Sequence, residues 1–210
     1  MKGMQLVNLI LNRIKEVADF SQFDVLDCFG GRAGKLGQTQ HLTGKFKTLT
    51  IWEFNPIYEK NLREKFPDAD IKICDAFEAI LAVDRKFDLV IMDHSITMSG
   101  NHVESHDLFP HVFRILKDHS FILPQITYPG KYYKRHNILS PVPYNILEAR
   151  KRFFNAYDTD GDMIPLDQAC NRYCELAEQH GFTVGKNSLV TARCHINLDW
   201  FYYLLELIKK

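Results

Sequence analysis

Residues 23–34 read FDVLDCFGGRAG, and this stretch decides the fold. Its first half is a short apolar run with β-branched and aromatic side chains, which is typical of a buried strand. The run ends at Gly30 and Gly31, and two adjacent glycines predict a turn. Glycines let a backbone approach a ligand closely, and a helix after such a turn offers free N–H groups at its start. The stretch therefore predicts a strand, a turn and a helix, with a ligand bound at the turn.

More segments of the same two kinds follow along the chain. Apolar runs predict six further strands, at 48–54, 69–75, 87–93, 119–126, 182–188 and 198–208. Helices are predicted at 4–18, 33–43, 55–66, 104–117 (with a break or kink at Pro110) and 161–180. Strands that alternate with helices imply a parallel sheet with helices on both faces, but the last two strands have no helix between them. The sequence therefore predicts an α/β fold with a seven-stranded, mostly parallel sheet and an antiparallel last strand.

The composition is that of one globular domain, which we expect to span residues 1–210. The chain is 46% hydrophobic and 25% charged, close to the globular average. Lys plus Arg and Asp plus Glu both number 26, which excludes a whole-protein basic field for nucleic acid. Apolar runs are too short for a membrane helix, and the N-terminal stretch is too charged for a signal peptide. The five cysteines are an odd number, so we expect reduced thiols, a cytoplasmic protein and no membrane partner, with the oligomeric state left open.

One long connection departs from the pattern of short loops. Residues 127–160 are rich in Pro, Tyr, Lys and Arg and are too long for a routine connection. Loops of this length are usually functional or disordered. We expect a substrate-side insertion at this point of the domain.

Acidic residues end four successive strands of the predicted sheet: Asp27, Glu53, Asp75 and Asp93. In sheets of this type ligands bind beyond the carboxyl ends of the strands, so the four acids indicate a polar ligand spread over that edge. The turn fits neither G-x-G-x-x-G nor the phosphate loop G-x-x-x-x-G-K-[ST], which disfavours a dinucleotide or a nucleoside triphosphate. Glu53 lies 26 residues after Asp27, where an acid can accept both hydroxyls of a ribose.

At this level the sequence resembles the class I S-adenosylmethionine-dependent methyltransferases. Four stretches resemble the first four motifs of that family in order and spacing: VLDCFGGRAG (25–34), TIWEFN (50–55), ICDAFEAI (73–80) and FDLVIMD (87–93). The resemblance implies the Rossmann-like methyltransferase sandwich and S-adenosylmethionine as the cofactor. It also implies an enzyme, a transferase that moves a methyl group.

The resemblance also implies individual roles in cofactor binding. Glu53 would be the ribose acid, Asp75 would face the adenine amino group, and Ala76 or Phe77 would lie against the adenine ring. Asp93 would lie beside the methyl donor. The full implied cofactor set is Asp27, Phe29, Gly30, Gly31, Gly34, Glu53, Phe54, Asp75, Ala76, Phe77 and Asp93.

Residues directly after the fourth predicted strand are placed for catalysis. Family members that methylate exocyclic amino groups usually have Asn or Asp, then Pro-Pro and an aromatic residue, whereas this chain has Asp93-His94-Ser95-Ile96. The resemblance therefore favours O-methylation. It implies Asp93 and His94 as catalytic residues, with His94 as the base that takes the proton of the acceptor.

Two O-methylating groups of the family share parts of this pattern, and neither decides the acceptor. The small-molecule catechol type has Asp-His after the fourth strand but also needs Asp-Asn after the fifth, where this chain has Pro124-Gln125-Ile126. The RNA ribose 2′-O type has a Lys-Asp-Lys-Glu tetrad. The candidates for that tetrad are Lys15, Asp93, Lys131 (several residues late), and Asp199 or Glu206.

The insertion favours a nucleic-acid acceptor slightly over a small molecule, and so predicts RNA methylation. Basic groups bind phosphate and aromatic faces stack on bases. The predicted substrate-binding residues are Lys131, Lys134 and Arg135, with further cations at 150–152 interleaved with Tyr128, Tyr132, Tyr133 and Phe153. The alternatives are a basic lid over a small-molecule site with its aromatics turned inward, and a catalytically inactive partner subunit that keeps the cofactor pocket.

Two further patterns suggest metals, and we expect neither to bind one. Asp158, Asp160 and Asp162 start like a calcium loop, but Met163 and Ala169 stand where glycine and glutamate are required. His102 and His106, with Glu104 or Asp107, have the residue types of a two-histidine, one-carboxylate site, but histidines at a polar rim explain them equally well.

Overall fold

The structure is a computed structural model, and it describes residues 3–31, 44–92, 104–126, 144–159, 164–193 and 199–210. Its centre is a seven-stranded sheet with the order β3-β2-β1-β4-β5-β7-β6. The strands are β1 Asp24–Asp27, β2 Thr48–Glu53, β3 Asp70–Ile73, β4 Phe87–Met92, β5 Leu116–Ile126, β6 Phe182–Arg193 and β7 Asp199–Lys209. Pairing is parallel from β3 through β5, and β7 runs antiparallel to both β5 and β6. The predicted seven strands and the antiparallel last strand are confirmed.

Helices cover both faces of the sheet, as predicted. They are α1 Gly3–Lys15, α2 Glu59–Lys65, α3 Ala76–Ala82, α4 Glu104–Val112, α5 Tyr144–Phe154 and α6 Leu166–Gln179. The apolar side chains of α1 pack with one face of β1, β4 and β5, and those of α3, α4 and α6 pack with the other face. Because both faces are covered, the central strands read as continuous apolar runs instead of alternating ones.

Prolines explain two helix boundaries that the sequence analysis placed wrongly. The helix predicted at 104–117 contains Pro110, ends at Val112, passes through a 3₁₀ turn and gives way to β5 at Leu116. Pro110 cannot donate a hydrogen bond to the preceding turn, which weakens the helix from there on. The helix predicted at 161–180 starts only at Leu166, because a residue before a proline, here Ile164, avoids the helical region.

The insertion is partly helical, which corrects the expectation of one long loop over 127–160. Helix α5 occupies Tyr144–Phe154 and packs against α4 and α6. Phe154 at its end is buried in the main core. Residues 127–143 and the helix predicted at 33–43 lie outside the described residues.

The described cysteines are free thiols, namely Cys28, Cys74, Cys170 and Cys174. Burial raises the pKa of Cys28 and of Cys74, and it raises the pKa of Cys170 to about 11. These three thiols are therefore uncharged at neutral pH. Within the described ranges, none of the helices has the length and apolar character needed to span a membrane.

Candidate cofactor site

The candidate site lies where the parallel strands end, here called the carboxyl edge of the sheet. The ends of β1, β2 and β3 are neighbours in the sheet, with Asp27 opposite Ile51 and Glu53 opposite Ile73. Beyond the strands, the Gly30 N–H donates to the Trp52 carbonyl at 2.8 Å. The fold therefore brings the glycine turn and the acids after β2 and β3 to one edge.

Glu53 is held by the backbone on both of its carboxylate oxygens. The Gly31 N–H donates to Oε2 at 2.5 Å, and the Asn55 N–H donates to Oε1 at 2.6 Å. The residue is only 8% exposed, so these contacts fix the carboxylate against the turn. Each carboxylate oxygen has a second lone pair, and the pair of oxygens can still accept hydroxyl groups from a ligand.

The two glycines of the turn are required for different reasons. A Cβ at Gly30 would stand 2.6 Å from Cγ2 of Ile51 and 3.3 Å from Cδ1 of Leu62, so a side chain there would force β2 and α2 apart. Gly31 has a φ of +56°, in the left-handed region that favours glycine. Gly30 therefore allows close packing of the turn against β2 and α2, and Gly31 allows its backbone conformation beside open space.

Asp27 shapes the same turn from inside the protein. It is 3% exposed, and its Oδ1 accepts a hydrogen bond from the Phe29 N–H at 3.0 Å. Phe29 itself is half-buried against the main core. The structure thus gives Asp27 a role in positioning the turn, and direct cofactor contact by Asp27 or Phe29 stays a prediction.

Asp75 begins helix α3 at the same edge. Its Oδ1 accepts from the Phe77 N–H at 2.8 Å, which caps the helix. Ala76 and Phe77 are 7% and 6% exposed and belong to the main core. Phe54, directly after the ribose-acid candidate, is 60% exposed. Phe54 is therefore the better placed of the two phenylalanines to contact a bound ring.

The predicted cofactor residues within the described ranges come together at this edge: Asp27, Phe29, Gly30, Gly31, Glu53, Phe54, Asp75, Ala76 and Phe77. Gly34, the catalytic candidates Asp93 and His94, and the substrate candidates Lys131, Lys134 and Arg135 lie outside the described residues. Asn55, whose N–H donates to Glu53, was not predicted as a partner of the acid. Its signal was the Asn-Pro pair, since the Asn55 side chain caps the 3₁₀ turn that follows β2.

Two candidates for the RNA-type tetrad lie away from the carboxyl edge. Lys15 is at the end of α1, with its Nζ 5.2 Å from the centre of the Phe20 ring, before the start of β1. Glu206 pairs across the sheet with Phe121 in the middle of β5 and bonds to His119 at 2.8 Å. Neither side chain is positioned to act at the end of β4.

The described part of the insertion turns most of its basic and aromatic side chains inward. Arg150 is 4% exposed, with its guanidinium carbon 5.6 Å from the centre of the Phe154 ring. Lys151 pairs with Glu148 at 2.9 Å, and Phe153 packs on the inner side of α5. Arg152 is exposed. Of the cations at 150–152, Arg152 alone is open to a polyanion.

The described residues contain no group of three or more His, Cys, Asp or Glu side chains that could hold a metal ion. His106 is a ring-stacking residue, 4.5 Å from Phe153 between ring centres. His94, His102, Asp160 and Asp162 lie outside the described residues.

Comparison with known proteins identifies the fold. No family model and no curated protein matches the sequence. Among solved structures, TYW2 of M. jannaschii in complex with AdoMet matches at a TM-score of 0.54 and 15% identity, over 100% of this chain and 78% of that one. N-methyltransferase NodS of Bradyrhizobium japonicum WM9 with S-adenosylhomocysteine (SAH) matches at 0.59 and 11% identity, over 98% and 85%. Magnesium protoporphyrin IX methyltransferase of Synechocystis PCC 6803 with SAH matches at 0.55 and 12% identity, over 99% and 83%. The chain has the Rossmann-like fold of the class I S-adenosylmethionine-dependent methyltransferases.

Proposed function

We propose that the chain is an S-adenosylmethionine-dependent methyltransferase. The observation that carries the proposal is the Glu53 carboxylate, buried at the end of β2 and bonded to the N–H of Gly31 in the glycine turn. A fixed acid beside a side-chain-free turn fits a ribose with an extended group on its 5′ side. The fold supports the proposal, because the three similar proteins above were crystallised with AdoMet or SAH.

The residues present fit this cofactor. Glu53 would accept the two ribose hydroxyls, and the carboxylate of Asp75 would accept the adenine amino group. Phe54, which is 60% exposed, would cover the adenine ring. The amino-acid chain of the ligand would lie along the turn at Gly31, where a Cβ would have only the Phe29 carbonyl oxygen within 4 Å.

When bound, the cofactor supplies a methyl group on a sulfonium sulfur, already activated for displacement. The protein then has to align the acceptor with that methyl group and remove the acceptor's proton, and alignment alone is worth several kcal/mol. Asp93 and His94 directly follow β4 in the sequence, beside β1 in the sheet order. We assign the proton of an acceptor hydroxyl to His94, and alignment beside the donor to Asp93.

The acceptor we propose is an RNA hydroxyl, bound through Lys131, Lys134 and Arg135 in a cytoplasmic protein. A second candidate, a small-molecule hydroxyl, is favoured by α5, where Arg150 and Phe154 are buried. The third candidate is a partner subunit that binds the cofactor but transfers no methyl group. This candidate requires a second chain, so the oligomeric state bears on it. One assay separates the three.

The assay is transfer of tritiated methyl groups from S-adenosylmethionine to fractionated RNA and to metabolite extracts. Wild type should label RNA, and His94→Ala should lower the initial rate about 10²–10⁴-fold without weakening SAH binding. The double variant Lys134→Ala, Arg135→Ala should lose RNA labelling and much of its salt dependence. The matched double variant Lys209→Ala, Lys210→Ala, at the end of β7, should behave as wild type.

The outcomes decide between the candidates. If the metabolite fraction is labelled, and the double variant Lys134→Ala, Arg135→Ala labels it as well as wild type does, the acceptor is a small molecule and not RNA. If the protein binds SAH but labels no fraction, the chain is a cofactor-binding partner subunit and not an enzyme. Neither binding nor label would contradict the proposed function altogether.

A further inference from the structure

At the carboxyl edge, outside the set of cofactor residues, lies a buried carboxamide whose N–H donor has no partner among the described residues. Gln125 is the penultimate residue of β5 and is 5% exposed. Its Nε2 is inaccessible to solvent and has no hydrogen-bond partner among the described residues. Since nearly all buried polar side-chain atoms in proteins are hydrogen-bonded, this donor calls for a partner that binds there.

The sheet places Gln125 within reach of chemistry at the end of β4. Met92, the last residue of β4, is opposite Pro124, so Gln125 is one residue further toward the carboxyl edge. β5 is separated from β1 by β4 alone. At about 4.8 Å between neighbouring strands, Gln125 stands about 10 Å sideways from the strand that carries the glycine turn. A methyl acceptor has to occupy this interval.

The surroundings of Gln125 define the chemistry of the missing partner. Gln125 lies across from Tyr202 in β7, on the sheet face that carries Ile91 and Leu123. These three neighbours are buried and uncharged. An anion would be poorly stabilised in such surroundings, whereas a carbonyl or hydroxyl oxygen needs only the single donor.

We propose that Gln125 is an acceptor-binding residue: its Nε2 donates a hydrogen bond to a neutral carbonyl or hydroxyl oxygen beside the position that is methylated. The assignment rests on the proposed methyltransferase function and adds the acceptor chemistry to it. The side chain binds the neutral part of the acceptor, and phosphate groups of a larger acceptor have to be held elsewhere.

The test uses Gln125→Met, which keeps the length of the side chain and removes its polar atoms. Removing an unpartnered buried donor should leave the melting temperature unchanged or raise it. SAH affinity should also stay unchanged, because the cofactor residues that the structure describes lie at or after the ends of β1, β2 and β3. The concentration of the acceptor-containing extract fraction that gives half-maximal methyl incorporation should rise about tenfold, as for one lost hydrogen bond.

Ser120→Ala is the matched control. Ser120 is also on β5, is fully buried and also has an unpartnered polar atom among the described residues, but it lies near the middle of the sheet. This variant should match wild type in melting temperature, SAH affinity and the acceptor dilution curve.

Two results would overturn the assignment while leaving the methyltransferase function intact. One is a Gln125→Met dilution curve that matches wild type. The other is a fall of several degrees in melting temperature with half-saturation unchanged, since that result would make Gln125 a structural residue. If wild type itself bound no SAH or labelled neither RNA nor metabolites, the methyltransferase function would fail and this assignment with it.

Discussion

At the scale of single residues, Asp75 combines a structural and a binding task. Its Oδ1 accepts from the Phe77 N–H and so starts helix α3. In the proposed function the carboxylate also accepts the adenine amino group. Oδ1 already caps the helix, so a substitution that changes only the other carboxylate oxygen separates the two tasks.

We therefore predict different effects for Asp75→Ala and Asp75→Asn. Alanine removes the cap and should lower the free energy of unfolding by about 1 kcal/mol. Asparagine caps equally well and should leave stability within a few tenths of that of wild type, but its amide would present a donor to the adenine amino group. Both variants should bind SAH at least tenfold more weakly in calorimetry. Full SAH affinity of Asp75→Asn would contradict the role of Asp75 at the adenine.

At the scale of elements, a half-buried histidine, His106, joins α4 to the insertion helix α5. The His106 ring stacks on Phe153 with an interplanar angle of 10° and meets Phe154 edge-on, 5.1 Å between ring centres. Burial, and secondarily the positive charge of Arg150, holds the pKa of His106 well below its usual value. The contact of His106 with Phe153 and Phe154, here called the α4–α5 junction, therefore requires a neutral imidazole.

This junction predicts a pH dependence of stability. The unfolded chain takes up a proton at His106 near pH 6.5 and the folded chain does not, so the free energy of unfolding falls as the pH drops below about 6.5. One proton accounts for a slope of up to about 1.4 kcal/mol per pH unit. His106→Phe keeps an aromatic ring at the junction and should remove that share of the slope in urea unfolding between pH 5 and 7.5. Equal slopes for the two proteins would contradict this assignment.

The same elements show what the sequence alone could predict. The central strands β1, β2, β4 and β5 followed from apolar runs, because strands covered on both faces contain few polar residues. Helix α5 did not, because its basic residues suggested a solvent-facing surface, whereas Arg150 is buried on Phe154. Helix α3 was not assigned, since seven residues show little periodicity.

The site was predictable to the level of the strand ends. Glu53 and Asp75 were found because acids after parallel strands must meet at one edge. The N–H groups that hold Glu53 depend on the backbone of the turn, which no spacing rule gives. Gln125 could not be singled out, because a missing hydrogen-bond partner becomes visible only in three dimensions.

At the scale of the whole molecule, the edge opposite the candidate site holds a network of charges. Lys117 of β5 bonds to Asp24 of β1 at 2.8 Å and to Asp88 of β4 at 2.7 Å. Partial burial disfavours the charged form of Asp24. The hydrogen bonds from Lys117, Thr48 and Arg85 outweigh it and lower the pKa of the Asp24 carboxyl far below its usual value. The network ties three central strands together where they begin.

Lys117→Met should therefore destabilise the fold without touching the site. We expect a loss of about 1–3 kcal/mol in urea unfolding at pH 7, since Asp24 and Asp88 would lose a shared charged donor. The depressed Asp24 pKa contributes stability above about pH 4 that is lost as the pH falls further, and this acid sensitivity should be weaker in the variant.

The control for that variant is Lys60→Met, which removes an exposed pair with Glu64 at 3.9 Å and should change stability by less than about 0.5 kcal/mol. SAH affinity should be the same in wild type and both variants. A Lys117→Met protein as stable as the Lys60→Met protein would show that the network does not hold the sheet together.

The most direct test of the cofactor site is calorimetric titration of SAH into wild type, Glu53→Gln and the control Glu59→Gln. Glu59 is a partly exposed acid on the next helix, paired with Arg63. Wild type and the control should bind one SAH per chain with equal affinity, and Glu53→Gln should bind about 10–100-fold more weakly, as for a lost charge-assisted hydrogen bond. Absence of binding by wild type at millimolar SAH, or equal affinity of the Glu53→Gln protein, would contradict the account.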